Sequence, residues 1–254
     1  MPPVMVLGYS TKAASMTLIN NKWEMNLPEH RDQSLQWAYW EIERNTALNK
    51  NIRKGDILVD VGSEQGDLPA MFATWGAQVF LIEPNPLFWP TIKQCFEMND
   101  VKPIGYFTGF ASDTSVMPDE LLEEPFQLQD HDGWPGCAWM DNLQNNDFRN
   151  VLERYHDTPQ TTIDSLNLDH VDIINMDIEG AEVLALRGAE QTLRKDKPLV
   201  FVSVHPSFMS KDHGVTQEQL LEWLESLGYE WEILAVDHEV HVAAWHPEGR
   251  KYIR

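Results

Sequence analysis

Ile57-Leu58-Val59-Asp60-Val61-Gly62-Ser63-Glu64-Gln65-Gly66, followed by Leu81-Ile82-Glu83-Pro84-Asn85-Pro86, decides the fold. An apolar run ends in an acid, a Gly-x-x-x-Gly turn follows, and a helix-like segment leads to a second apolar run that also ends in an acid. Asp60 and Glu83 stand roughly 20 residues apart, the spacing of a βαβ nucleoside-binding unit. Each acid is expected where its strand gives way to a loop, the edge at which such sheets bind ligands. Gly62 and Gly66 would let backbone approach a ligand without a Cβ in the way. Asp60 is placed to hydrogen-bond a ligand amine, and Glu83 to accept both hydroxyls of a ribose. A tight strand-to-helix turn would explain the glycines alone equally well; Glu83 at the next strand end favours a site.

The rhythm continues on both sides. Leu35, Trp37, Ala38, Ile42 and Leu48 predict an N-terminal helix over Gln33–Leu48. Helices are expected over Leu68–Trp75 and Pro86–Asn99, with strands over Gln78–Glu83 and Ile104–Phe107. Farther on, strands over Val171–Met176 and Leu199–Val204 alternate with helices over Gly180–Arg194 and Thr216–Leu227. Tyr229–Val236 and Val240–Trp245 read as a hairpin, hence antiparallel, whereas the alternating strands should be parallel. The expected fold is a doubly wound α/β sheet, mostly parallel, with a C-terminal antiparallel hairpin and helices on both faces. One domain over 1–254 is expected, with a helical extension at 1–54 and a lid-like insert at 113–160. That insert crowds aromatics, glycines and prolines into a weakly periodic stretch, with a short helix near Asp147–Arg154.

Composition narrows the partners. Nineteen basic against forty acidic residues give a formal charge of −21, which opposes docking on long nucleic acid. No apolar run approaches the roughly 20 residues that span a membrane, and the N-terminus lacks a signal-peptide layout, so a cytoplasmic chain is expected. Cys95 and Cys137 lack metal-site or disulfide-framework spacing and are expected as reduced thiols. A nicotinamide site would usually show G-x-G-x-x-G; here the third glycine is missing until Gly76, and Glu64 would repel a pyrophosphate.

Five blocks together resemble the FkbM-like S-adenosylmethionine-dependent methyltransferases: D-V-G-S-E-Q-G, L-I-E-P-N-P, T-T-I-D-S-L, M-D-I-E-G-A-E-V-L-A-L-R-G-A and V-S-V-H-P. They recur in that family's order from about Asp56 to Pro206. The resemblance implies a class I methyltransferase fold using S-adenosyl-L-methionine and releasing S-adenosyl-L-homocysteine. It implies that Asp60, Gly62 and Gly66 line the methionine end of the cofactor and that Glu83 takes the ribose. Pro84 and Asn85 would flank the adenosine, and Ala111 and Ser112 border the adenine. Ser63, Glu64 and Asp177 complete the expected cofactor set. The family's loop is usually D-x-G-A-N-x-G, so Ser63-Glu64-Gln65 are a departure.

Such enzymes mostly methylate oxygen of sugars and natural products, and some methylate nitrogen. An alcohol acceptor must lose its proton, so a base in reach helps. Asp177 or His205, each ending a strand on the carboxyl edge, is the expected base; Glu179 follows in the same loop. Asp177 could equally be an N-cap, and Glu182 reads as an acid favourable at a helix N-terminus. Trp134, Trp139 and His238 are the candidate acceptor contacts, while Trp89 reads as core. Asp237-His238-Glu239-Val240-His241 reads as a polar hairpin turn rather than a metal site. A divalent ion shared with Asp177 or His205 is compatible with those residues, but none is predicted. The expected reaction is O-methylation of a sugar or small-molecule hydroxyl. The rivals are N-methylation of a peptide or base, a nicotinamide-dependent oxidoreductase, and a non-catalytic binding protein of the same fold.

Overall fold

The computed structural model describes residues 15–31, 37–85, 87–116, 132–135 and 159–254. A hairpin comes first: β1 (Ser15–Ile19) and β2 (Trp23–Leu27) pair antiparallel, with Asn20 and Asn21 both at positive φ in the turn. Asparagine tolerates that region because its short side chain bonds locally; Asn20 Nδ2 donates to the Trp40 carbonyl at 2.7 Å. Among the described residues, the expected helical extension therefore opens on β-structure. Helix α1 is Ile42–Asn51; the helix expected over Gln33–Leu48 is broken just before it, where Glu41 sits in the left-handed region at φ 45°, and residues 33–36 lie outside the described residues.

The chain then runs β3 (Ile57–Val61), α2 (Asp67–Thr74), β4 (Gln78–Ile82), α3 (Trp89–Met98) and β5 (Gly105–Phe107). A short parallel pair follows, β6 (Phe110–Ala111) with β7 (Gln160–Thr161). Next come β8 (Ile173–Asp177), α4 (Glu182–Arg187), α5 (Glu190–Lys195) and β9 (Leu199–Val204). Helices α6 (Pro206–His213) and α7 (Gln217–Ser226) lead to β10 (Glu230–Val236) and β11 (Val240–Trp245). Helix α6 lies where no element was expected.

The single helix expected over Gly180–Arg194 is two helices. The Gly188 carbonyl accepts from the Asp164 amide at 2.9 Å, and the Asp164 carboxylate accepts from the Gln191 and Thr192 amides at 3.0 and 2.8 Å. A loop carboxylate thus caps the second helix, the role an N-cap side chain plays from within.

The central sheet has the order β10-β11-β9-β8-β3-β4-β5, with β10 and β11 antiparallel to their neighbours and the other contacts parallel. The order in which strands are added reverses about β3: β4 and β5 extend the sheet one way, and β8 and β9 the other. The crevice at the carboxyl ends of β3 and β8 is therefore the topological switch point.

Period-two alternation gives the sheet two cores. Leu58, Ile173, Leu199, Phe201 and Ala243 pack on one face; Val59, Val61, Ile174, Met176, Val200, Val202 and Val242 pack on the other. The first face turns polar toward the carboxyl edge, at Asp60, Asn175, Asp177, Ser203 and His241. Register sets Asp60 beside Asn175, and Asp177, Ser203 and His241 in one row. Cys95 is a buried free thiol; Cys137, like the expected helix Asp147–Arg154 and most of the expected lid, lies outside the described residues.

Candidate active site

A cavity of about 520 Å³ opens over this polar edge, lined by residues of β3, β4 and β8 and the loops that follow them, by His205 just past β9, by the turn before β11, and by Arg31, Trp37, Trp40, Glu41 and Arg44. Asp60, at 2% exposure, has Oδ1 bound by Asn175 Nδ2 at 2.7 Å, while its buried Oδ2 has no hydrogen-bond partner. Burial pushes the carboxyl up to about 6 against the pull of Asn175. Glu83 is held by two backbone amides, Glu64 N on Oε2 at 2.8 Å and Asn85 N on Oε1 at 2.7 Å. Burial still outweighs those bonds and raises Glu83 to about 8.

The loop glycines also serve the packing of the fold. Gly62 has φ +83°, and a Cβ there would lie 1.9 Å from the Asp177 carbonyl oxygen. A Cβ on Gly66 would lie 2.6 Å from Ile92 Cα. These residues let β3 close on β8 and the loop close on α3. Gly62 lines the cavity and Gly66 does not.

At the opposite end His205 meets a ring of acids. Its Nδ1 donates to Glu182 Oε1 at 2.8 Å; its Nε2 lies 3.1 Å from Glu239 Oε2, 3.4 Å from Glu179 Oε2 and 3.8 Å from Asp177 Oδ1. Burial disfavours the imidazolium, but the Glu182 hydrogen bond and the charges of Asp177, Glu182 and Glu239 prevail and raise His205 to about 9. The sequence expectation is a neutral imidazole; a pKa raised to about 9 instead favours the protonated form of His205 at pH 7.

Arg44 of α1 is buried against the same face. It pairs with Glu41, donates to Ser203 Oγ at 2.7 Å and lies 3.6 Å from Asp177 Oδ2. Burial pushes Glu41 up to about 7, with Arg44 pulling the other way.

A sequence profile described as the methyltransferase FkbM domain matches residues 60–231. The chain belongs to the FkbM methyltransferase family. Among solved structures, an FkbM methyltransferase from Methylobacillus flagellatus KT is 18% identical, with a TM-score of 0.51 over 77% of this chain. This chain spans 45% of that protein's length. A precorrin-6y C5,15-methyltransferase from Geobacter metallireducens GS-15 is 14% identical, with a TM-score of 0.45 over 87% of this chain and 92% of that one. No curated protein matches the sequence significantly. The fold is that of class I methyltransferases, as the strand order requires.

Of the residues singled out in this family member's sequence, Asp60, Gly62, Ser63, Glu64, Glu83, Pro84, Ala111, Asp177, Glu179, His205 and His238 line the cavity. Gly66, Asn85 and Ser112 do not line it, although the Asn85 amide holds Glu83, which does. Trp134 is corrected: it is 8% exposed and packs edge-on to Phe96, 5.9 Å between ring centroids, within the core. Trp139 lies outside the described residues. Sequence reasoning missed Trp37, Glu41, Arg44, Asn175 and Glu239 as cavity wall. It also left Glu182 as a helix-end acid, whereas Glu182 is wholly buried and holds His205. The only local signal for Arg44 was Glu41 three residues before it; its partner Ser203 is 159 residues away. No helix among the described residues is long and apolar enough to cross a membrane.

Proposed function

We propose that this chain transfers a methyl group from S-adenosyl-L-methionine to a hydroxyl of a sugar or other small molecule. Glu83 carries the reading: a buried carboxylate at the end of β4, oriented by two amides, with lone pairs left for a vicinal diol. The cavity fits the cofactor in two further respects. The buried, unpartnered Oδ2 of Asp60 suits a ligand ammonium. The amides of Gly62, Ser63, Glu64 and Gly66 all donate within the protein, which leaves little of the amide cradle a dinucleotide pyrophosphate requires.

When bound, the cofactor supplies an electrophilic methyl on a sulfonium. Glu83 would hold the ribose, Pro84 and Ala111 the base, and Asp60 the methionine end. Asp177 would orient the acceptor hydroxyl and take its proton, and Arg44 would keep that carboxylate in place. Alignment of this kind accounts for much of the acceleration in displacement reactions. We read residues 1–254 as one domain, in which Arg31, Trp37, Trp40, Glu41 and Arg44 of the N-terminal extension wall the cavity and 113–160 form an insert.

Calorimetric titration with S-adenosylhomocysteine and with NAD separates this reading from its rivals. The expected result is binding of the former alone, weakened at least about tenfold by Glu83→Ala, a loss of about 1.4 kcal/mol or more. Binding of NAD alone would overturn it. Transfer of labelled methyl to fractionated small-molecule extracts then identifies the acceptor; labelling of nitrogen in the product would replace O- by N-methylation.

A further inference from the structure

We propose that Asp177, His205 and Glu239 bind a divalent cation of the Mn2+ and Mg2+ class at the acceptor end of the cavity. One ligand atom from each of the three lies within 4.8 Å of the others. A small divalent ion about 2.0–2.2 Å from its donors holds adjacent donors about 3 Å apart. The observed separations from His205 Nε2, 3.1 Å to Glu239 and 3.8 Å to Asp177, come near that spacing.

Two further features point to a ligand. Glu239 is 3% exposed and lines the cavity, and its Oε2 makes no hydrogen bond among the described residues; its ion-pair contact there is His205 Nε2 at 3.1 Å, which a neutral, metal-binding imidazole would give up. His205 is locked from behind, because Nδ1 donates to the wholly buried Glu182, itself fixed by the Gly180 amide at 2.9 Å. A carboxylate behind a histidine is the arrangement that orients imidazole ligands toward metals, and it leaves Nε2 aimed at the other donors. Charge agrees: Glu41, Asp177, Glu239 and Asp60 act on the Arg44 guanidinium, while Asp177, Glu179, Glu182 and Glu239 all lie within 3.8 Å of the His205 ring nitrogens. Two carboxylates with one imidazole favour Mn2+ over Mg2+, since imidazole is a poor ligand for the harder ion.

Three protein ligands leave positions open for an acceptor hydroxyl. With an acceptor hydroxyl bound there, the ion would lower its pKa, and the proton would leave the O–H bond for the Asp177 carboxylate oxygen not bound to the ion and pass on to water, the electron pair staying on the acceptor oxygen. That role rests on the methyltransferase reading; the ion site does not.

The test is Mn2+ titration of the metal-stripped full chain, followed by the fall of the free-ion electron paramagnetic resonance signal. One Mn2+ per chain is expected, displaced by excess Mg2+. Affinity should fall at least about tenfold in Glu239→Gln and in Asp177→Asn, and about tenfold in Glu182→Gln, with melting curves verifying the fold. No binding to folded wild-type chain, or binding unmoved in both ligand variants, overturns the site. S-adenosylhomocysteine titration in parallel keeps the two readings apart: its failure with Mn2+ still bound counts against the cofactor alone.

Discussion

At the scale of single residues, Glu83 makes a prediction whose sign can be worked out. The ligand-free carboxyl stands near pKa 8, so it is mostly protonated at pH 7. Ribose hydroxyls donate hydrogen bonds and therefore favour the ionised form. Cofactor affinity should rise as pH climbs from about 6 to about 8 in the wild type, and Glu83→Gln should bind weakly with a flat profile. Calorimetry across that range checks it; equal slopes in both proteins would refute the assignment. Asp60 and Glu83 were legible in the sequence because each terminates an apolar run. Glu182 was not, because its burial depends on His205, 23 residues onward, and no local pattern announces that contact.

Elements were legible where periodicity is local. The strands Ile57–Val61 and Leu199–Val204 fall where the apolar runs placed them, being buried on both faces. The helix expected over Gly180–Arg194 broke because a distant loop supplies both the competing donor and the cap through Asp164. The T-T-I-D-S-L block thus has a structural cause. Asp164→Ala should cost about 1 kcal/mol, the typical worth of an N-cap. Denaturant unfolding would read it, and no change in midpoint would show that α5 holds without the cap. The N-terminal hairpin was missed for another reason: its Asn20-Asn21 turn is a hairpin signal, but the short strands around it carry modest apolar content.

For the whole molecule, proton uptake sets how stability should vary with pH. Glu41, Asp60, Glu83 and His205 are raised to about 7, 6, 8 and 9. Each holds in the fold a proton that the unfolded chain releases at lower pH. Their stabilisation is present below the unfolded values and lost as pH rises through the folded ones. The melting temperature of the ligand-free protein should therefore fall between about pH 5 and pH 9, a trend that its charge of −21 reinforces. Combining Glu41→Gln, Asp60→Asn and Glu83→Gln should flatten the acidic half of that curve. A melting temperature that climbs over the same range would contradict these protonation states.

The polar row across the sheet has a consequence for how the protein matures. Asp60, Asn175, Asp177, Ser203 and His241 come from four strands and span most of the chain, yet they meet along one edge. A nascent chain that has emerged only through β5 holds Asp60 and Glu83 but no opposing wall. The last hairpin, added to β9, supplies His241 and the Glu239 turn. The cavity is therefore among the last features of the chain to be completed, since its wall lacks His238 and Glu239 until the final hairpin joins β9.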